Sequence, residues 1–299
     1  MSRLFGGIEA GGTKFVCMIS ADSDHVVDEK RFPTTRPDET IRQVNSFFSP
    51  YARRGELAAI GIASFGPLDL NPISPTYGYI TSTPKPDWNN VDLHGRVARA
   101  LDLPVAFDTD VNAAAFGEHY WIEGNTALDP FVYITVGTGI GMGVIANGLP
   151  VHGLIHSEAG HFAIPHDPLK DPFQGVCPYH GACLEGLASG PAMNSRWGQN
   201  AENLPDSHPA WELEAEYIAL ALINMIYAYS PKRIVLGGGV SQHVGLHKAV
   251  RQKVQQGLNG YIQSPMVLEN IENYIVPPSL GNRSGVLGAI AMAIDLVKM

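Results

Sequence analysis

Four side chains able to bind a soft metal ion fall close together in the second half of this sequence: His161, Cys177, His180 and Cys183. Carboxylates flank them at Glu158 and Glu185, in segments reading E-A-G-H and C-P-Y-H-G-A-C-L-E. The chain of 299 residues has only three cysteines, so a Cys-x2-His-x2-Cys run holding two of them is a concentration. Tetrahedral Zn2+ is satisfied by two thiolates and two imidazoles, and this spacing lets one tight loop offer three of the four ligands. The fourth must come from outside the run. His161 is the nearest upstream, and His166, His156 and His152 compete with it. The plain alternative is a metal-free loop whose cysteines act as small buried apolar groups. The imidazole between the thiols, and polar surroundings rich in Pro and Gly, favour zinc.

Chemistry of a second kind is suggested by three glycine-rich turns and one acid. Gly11-Gly12-Thr13-Lys14 stands between two apolar runs, where backbone amides, a hydroxyl and an ammonium could meet a phosphate. No Gly-Lys-Ser/Thr follows, so it is not a Walker loop. A Gly/Thr turn recurs at G-T-G-I-G from Gly137, again between apolar runs and without a dinucleotide-binding register. Gly237-Gly238-Gly239 follows a third apolar run and allows a flat ligand to approach the backbone. In D-T-D-V-N, Asp110 lies between a strand and a helix, the place where α/β proteins put chemistry, although helix capping is a commoner use of such an acid.

The elements needed to present these residues can be read from periodicity and turn chemistry. Residues 3–20 read as strand, glycine turn and strand, and Val26–Phe32 as a third strand. A helix is expected from Pro37 to about Tyr51, with Thr35 placed to cap it. Ala58–Ser64 reads as a buried strand ending in Phe65-Gly66-Pro67, and residues 71–90 as a long ordered loop. A helix over Asp92–Leu101, a strand over Val105–Phe107 and a helix from about Val111 follow. Phe131–Val136 and Arg233–Leu236 read as buried strands. Helices are expected over Pro191–Gln199, Trp211–Ala228, Val244–Gln256 and Ser284–Met299, the last packing back on the N-terminal half. The recurrence of strand, Gly/Thr turn and strand suggests an internal duplication.

Composition narrows the functional classes. A hydrophobic fraction of 45% with 16% charged residues suits a globular protein with an ample core. The net charge of −9 argues against a nucleic-acid surface, which needs clustered Lys and Arg. There is no basic run for an anionic membrane, no signal-peptide pattern, and no apolar run near the ~18 residues of a membrane span. Cys17 reads as a buried free thiol, and three cysteines without a disulfide framework point to a reducing cytoplasm.

Taken together, Glu9–Lys14, Asp108–Ala114, Thr135–Gly141, Glu158–His161, Cys177–Glu185 and Leu236–Val240 resemble, in order and over almost the full length, the motifs of the ROK-family sugar kinases. The Cys-x2-His-x2-Cys frame is similar to that of the bacterial fructokinases within the family. The resemblance implies an α/β, duplicated actin-like (ribonuclease-H-like) fold of two lobes with a nucleotide cleft between them. The lobes would be 1–115, joined by the helix near 284–299, and 116–283, which carries the zinc loop. It also implies a homodimer that phosphorylates a free hexose with ATP and Mg2+, with structural Zn2+.

By position, Asp110 matches the family's catalytic base. Gly11, Gly12, Thr13 and Lys14 match the first phosphate segment, Thr138 and Gly139 the second, and Gly238 and Gly239 the adenosine segment. Glu158, Glu185, His161, Gly66 and Thr109 match sugar-side positions, and His161 also matches the fourth zinc ligand beside Cys177, His180 and Cys183. Glu9 stands where the family usually has Asp, Thr109 where it commonly has Asn, and His180 where many members have Cys. Fructose is the expected sugar, with mannose, glucose and N-acetylhexosamines as alternatives. A sugar-sensing repressor of the same family would carry a helix-turn-helix before the first phosphate strand, for which the sequence preceding Leu4 leaves no room.

Overall fold

A computed structural model describes residues 3–122 and 125–298. The expected lobe boundaries at residue 1 and the expected helix end at Met299 lie outside these residues. The chain divides into two compact units, one formed by 1–125, 149–156 and 282–299, the other by 126–148 and 157–281.

The first unit opens with β1 (Leu4–Ala10), β2 (Lys14–Ser20) and β3 (Val26–Pro33), followed by α1 (Pro37–Arg53) and β4 (Leu57–Ser64). Next come two-residue strands β5 (Tyr79–Ile80) and β6 (Val91–Asp92), then α2 (Leu93–Leu101), β7 (Val105–Thr109) and α3 (Asp110–Tyr120). The sheet order is β3-β2-β1-β4-β7, with β1 antiparallel to β2 and parallel to β4, and β4 parallel to β7. Helix α1 starts with Pro37 at its first position and acids Asp38 and Glu39 in its first turn, and buries Ile41, Val44 and Phe48. Thr35 does not cap it. Arg36 occupies the cap position, and the Thr35 hydroxyl instead donates to Glu39 at 2.7 Å. The passage 71–90 holds more structure than expected, because β5 and β6 pair across it in a ladder too short to leave a periodic signal.

The second unit begins with β8 (Phe131–Val136) and β9 (Ile140–Ala146). The two-residue strand β10 (Leu149–Pro150) that follows opens the segment 149–156, which belongs to the first unit. Then come α4 (Leu184–Ala188), α5 (Gly190–Trp197), α6 (Ala210–Tyr229), β11 (Arg233–Gly237), α7 (Leu246–Leu258), α8 (Pro265–Leu268), α9 (Ile271–Tyr274) and β12 (Ile275–Val276). Here β8 is antiparallel to β9 and parallel to β11, and β11 is parallel to β12. The order β9-β8-β11-β12 thus repeats β2-β1-β4-β7 in sequence of strands and in their directions, the topology expected of a duplicated fold. The sequence did not disclose β12, α8 or α9, which span two to four residues each.

The final helix, α10 (Ser284–Leu296), returns to the first unit and packs against α3, β1, β4 and β7. It is buried almost throughout, from Val286 to Ile294. Because α3 runs unbroken to Tyr120 along α10, the first unit extends beyond residue 115. The α3–α10 crossing is close enough that a Cβ on Gly288 would stand 1.9 Å from the Ala113 carbonyl oxygen. Backbone on one side of this contact leaves no flexible group to yield. The variant Gly288→Ala is expected to lose about 1–3 kcal/mol of stability, read as a lowered denaturant midpoint. An unchanged midpoint would contradict this packing.

Candidate active site and metal centre

In the first unit the parallel register brings three distant segments to one sheet edge. Ala10 lies beside Ser64, and Ser64 beside Thr109, so the ends of β1, β4 and β7 are aligned. At about 4.8 Å per strand, β1 and β7 are about 10 Å apart. Gly11–Thr13, Phe65-Gly66 and Asp110 therefore leave the sheet together.

The turn after β1 is the expected hairpin. Gly11 N donates to Lys14 O at 3.0 Å, and Thr34, just after β3, closes it, donating from its amide to Thr13 O at 2.9 Å and from its hydroxyl to Gly11 O at 2.6 Å. Gly12, Thr13 and Lys14 are exposed. Glu9, where the resemblance led to the expectation of Asp, is largely buried. Burial raises its carboxyl above the ordinary value, and nearby Lys14 and Arg31 and the Val286 amide act in the opposite direction. The longer acid is accommodated by Gly285 of α10, where a Cβ would lie 2.8 Å from the Glu9 carboxyl carbon.

Asp110 is the first residue of α3 and not its cap. That position belongs to Thr109, whose hydroxyl accepts from Asn112 N at 3.1 Å. Thr109 is 3% exposed, so its hydroxyl is spent on the helix rather than presented to solvent. Asp110 Oδ1 accepts from Val111 N at 2.9 Å. Buried Asp108 braces the same turn, its Oδ1 accepting from Thr109 N at 2.7 Å and from Asn112 Nδ2 at 2.8 Å. Its Oδ2 meets His152 Nε2 at 2.8 Å, and this hydrogen bond lifts the His152 imidazole above its ordinary value despite partial burial. Beside Gly66, Leu68 N donates to His156 Nε2 at 3.1 Å.

The second unit repeats the arrangement. Thr135 of β8 aligns with Gly237 of β11, so Gly137–Gly139 and Gly238-Gly239 emerge side by side. Gly238 has a φ of +92°, and a Cβ there would meet the Val136 carbonyl oxygen at 2.3 Å. These turns border a cavity of about 960 Å3, which Thr138, Gly239, Asn194 and Gln242 help to line. One wall is Trp211 stacked on His243, ring centroids 3.5 Å apart and planes 12° from parallel. The sequence gives no signal for this pair, because it joins a helix to a loop far along the chain. Glu185 in the first turn of α4 has one oxygen already engaged: Oε2 accepts from Ile140 N at 2.9 Å, in the space left by the absent side chain of Gly139. Glu158 is exposed, and its carbonyl accepts from His161 N at 2.9 Å.

His161, Cys177, His180 and Cys183 converge, each offering one donor atom, all within 4.8 Å of one another. Cys177 Sγ is 3.8 Å from His161 Nδ1 and 3.6 Å from His180 Nδ1, and Cys183 Sγ is 3.6 Å from His161 Nδ1. Zinc bond lengths of about 2.3 Å to sulfur and about 2.0–2.1 Å to nitrogen give tetrahedral S–N edges of about 3.6 Å, so the donor set fits the ion. Burial raises the Cys183 thiol, a direction that a bound dication would reverse. The competing histidines are occupied elsewhere. His152 and His156 hold the segments just described, and His166 Nε2 lies 2.9 Å from the carbonyl oxygen of Asp171. That aspartate is buried and accepts from both Nε and Nη2 of Arg196 (3.2 and 3.0 Å) and from the Tyr217 hydroxyl at 2.6 Å.

With two topologically matched halves, a glycine hairpin in each and an acid at the end of β7, the fold is that of the two-lobe sugar kinases. The chain belongs to the ROK family, whose model matches residues 5–296. It is 43% identical to the fructokinase of Streptococcus mutans, covering 98% of each chain. To the fructokinase of Pediococcus pentosaceus it is 42% identical, covering 99% of each. Among solved structures, a ROK glucokinase from Streptomyces griseus in complex with glucose and AMPPNP superposes with a TM-score of 0.75 at 22% identity, covering 98% of this chain and 99% of that one.

Proposed function

We propose that this protein is an ATP-dependent fructokinase that transfers the terminal phosphoryl group of ATP to the 6-hydroxyl of D-fructose. The choice of fructose is carried by the full-length likeness to proteins named fructokinases, at 42–43% identity. Kinase chemistry is further supported by Asp110, which stands on the sheet edge shared with the Gly11–Thr13 hairpin while Thr109 performs the capping.

Phosphoryl transfer depends more on positioning and charge neutralisation than on covalent chemistry by the protein. Asp110 orients the sugar's primary hydroxyl and accepts its proton as the oxygen attacks the γ-phosphorus, and ADP leaves with the electrons of the broken P–O bond. The amides of the Gly11–Lys14 hairpin with the Lys14 ammonium, and the Thr138–Gly139 turn of the second unit, are suited to meet phosphates. Gly238 and Gly239 admit the flat base and ribose of the nucleotide to the cavity beside them. Mg2+, when bound with the nucleotide, would supply further neutralisation of the phosphates.

To sugar hydroxyl recognition we assign Glu158, Glu185 and His161 of the second unit, and Gly66 in the loop after β4 of the first. Thr109, buried and capping α3, contributes through the turn. Zn2+ would be held by His161, Cys177, His180 and Cys183, a full set of four ligands that leaves no open position and makes the ion structural. With Nδ1 of His161 directed at the sulfurs, its Nε2 is on the ring edge turned away from them. The metal would thus fix an imidazole whose other nitrogen meets the sugar.

Three experiments test this reading. A coupled ADP-release assay across fructose, mannose, glucose and N-acetylglucosamine should give fructose the highest kcat/KM. If it ranked far below another sugar, the fructose assignment would fall while the kinase class stood. Asp110→Asn should lower kcat by about 10²–10⁴-fold with ATP binding intact, and retention of more than about a tenth of the turnover would exclude Asp110 as the base. Metal analysis should find one zinc per chain, and chelation should lower Tm and raise KM for fructose. Zinc-free protein with unchanged Tm and KM would defeat the structural assignment.

A further inference from the structure

The segment 149–156 is held to the first unit in an unusual way. Its apolar side chains are largely unburied: Leu149 is 58% exposed, Val151 39%, Ile155 54% and Leu154 fully so. Apolar burial therefore contributes little to its placement. Two imidazoles pin it instead, His152 on Asp108 and His156 on the Leu68 amide. Leu149 and Pro150 lie against α3.

Of the two pins, His152 acts beside Asp110. The five residues from Asp108 to Asn112 are cross-braced by three hydrogen bonds: Asp108 Oδ1 to Thr109 N and to Asn112 Nδ2, and Thr109 Oγ1 to Asn112 N. Asp110 sits inside this brace. Two of the three end on the carboxylate of Asp108, whose side chain is only 5% exposed. A buried carboxylate needs donors on both oxygens, and an unsatisfied one is costly. The first oxygen is served from within the turn. The second is served by His152 Nε2 at 2.8 Å, from a residue 44 positions along the chain. Asn112 Nδ2 stands 3.4 Å from the same imidazole nitrogen, and its hydrogen bond in the turn is already made to Oδ1 at 2.8 Å.

We infer that His152 is a positioning residue for the phosphoryl transfer: by donating to Asp108 Oδ2 it holds the β7–α3 turn in the form that presents Asp110. This rests on the assignment of Asp110 as base. Without His152, the Asp108 carboxylate must find another donor, either by taking a proton or by drawing Asn112 toward Oδ2. The first course turns Oδ1 into the weaker acceptor of a neutral acid, the second dissolves the strut from Asn112, and in either Asp110 moves with the helix start. A displacement of about 1 Å at a reacting group is enough to cost on the order of 10²-fold in rate.

The experiment compares three variants at this position, each assayed with fructose and ATP and each checked for Tm. Gln carries its amide nitrogen at about the reach of an imidazole Nε2, Asn falls one methylene short, and Leu has no donor. His152→Leu and His152→Asn are expected to lower kcat about 10- to 100-fold with KM for ATP unchanged, and His152→Gln to recover most of the loss. Full turnover in His152→Leu, or a His152→Gln enzyme as slow as His152→Leu, would overturn the inference. The side chain is 42% exposed, so the variants are expected to fold. Should the Leu variant fail to do so, the Asn and Gln pair, differing by one methylene, makes the same comparison. An active Asp110→Asn enzyme would remove the base assignment itself, whereas an inactive one beside a fully active His152→Leu would remove this inference alone.

Discussion

Everything at the first-unit edge follows from the register of three parallel strands. Parallel pairing fixes not only which strands are neighbours but where each one ends, and here Ala10, Ser64 and Thr109 end in line. A shift of one residue in β7 would turn its side chains to the opposite face and carry Asp110 about 3.3 Å along the strand axis. The register is secured from both faces of the sheet. Phe15, Ile8, Ile60, Ile62, Phe48 and Trp88 form part of one core cluster, and α10 crosses β1, β4 and β7. The chemistry at the edge is thus set by apolar packing that touches no substrate.

Much of this was legible in the sequence, because long apolar runs bounded by glycine leave strong local signals. The strands Ala58–Ser64, Phe131–Val136 and Arg233–Leu236 were read nearly to the residue, as were the two hairpin turns. The four-ligand cluster was legible for the same reason, since three of its members lie within seven consecutive positions. Where the reading stopped, the cause is distance along the chain. Nothing local marks His152 as the donor to Asp108, or Trp211 as the ring beneath His243, since each pair is joined only by folding. Local competition also misled: Thr35 stands where a cap belongs, yet its hydroxyl finds Glu39, and Arg36 takes the position.

Glu9 and Thr109, where the family resemblance led to the expectation of Asp and Asn, have physical accounts. Glu at position 9 adds a methylene in a nearly closed space, and that space exists because Gly285 has no side chain, so the two positions form one structural choice. Thr at position 109 gives the start of α3 a hydroxyl cap. That releases Asp110 from the role an acid at a helix start would otherwise fill. In both cases the unusual residue alters support for the site while the reactive groups keep their kinds.

The return of α10 to the first unit has a consequence for how the protein is made. Residues 3–122 leave the ribosome before the second unit, but the helix that covers β1, β4 and β7 is translated after it. At ~5–20 residues per second, the stretch between 122 and 282 takes roughly 10–30 s to synthesise. Throughout that interval the face of the N-terminal sheet that α10 will cover is without its partner. The second unit, contiguous except for the excursion at 149–156, has all its strands available before that helix exists. The order of maturation should therefore be inverted with respect to the sequence, the inserted unit becoming stable first and the unit it interrupts closing only once α10 has emerged.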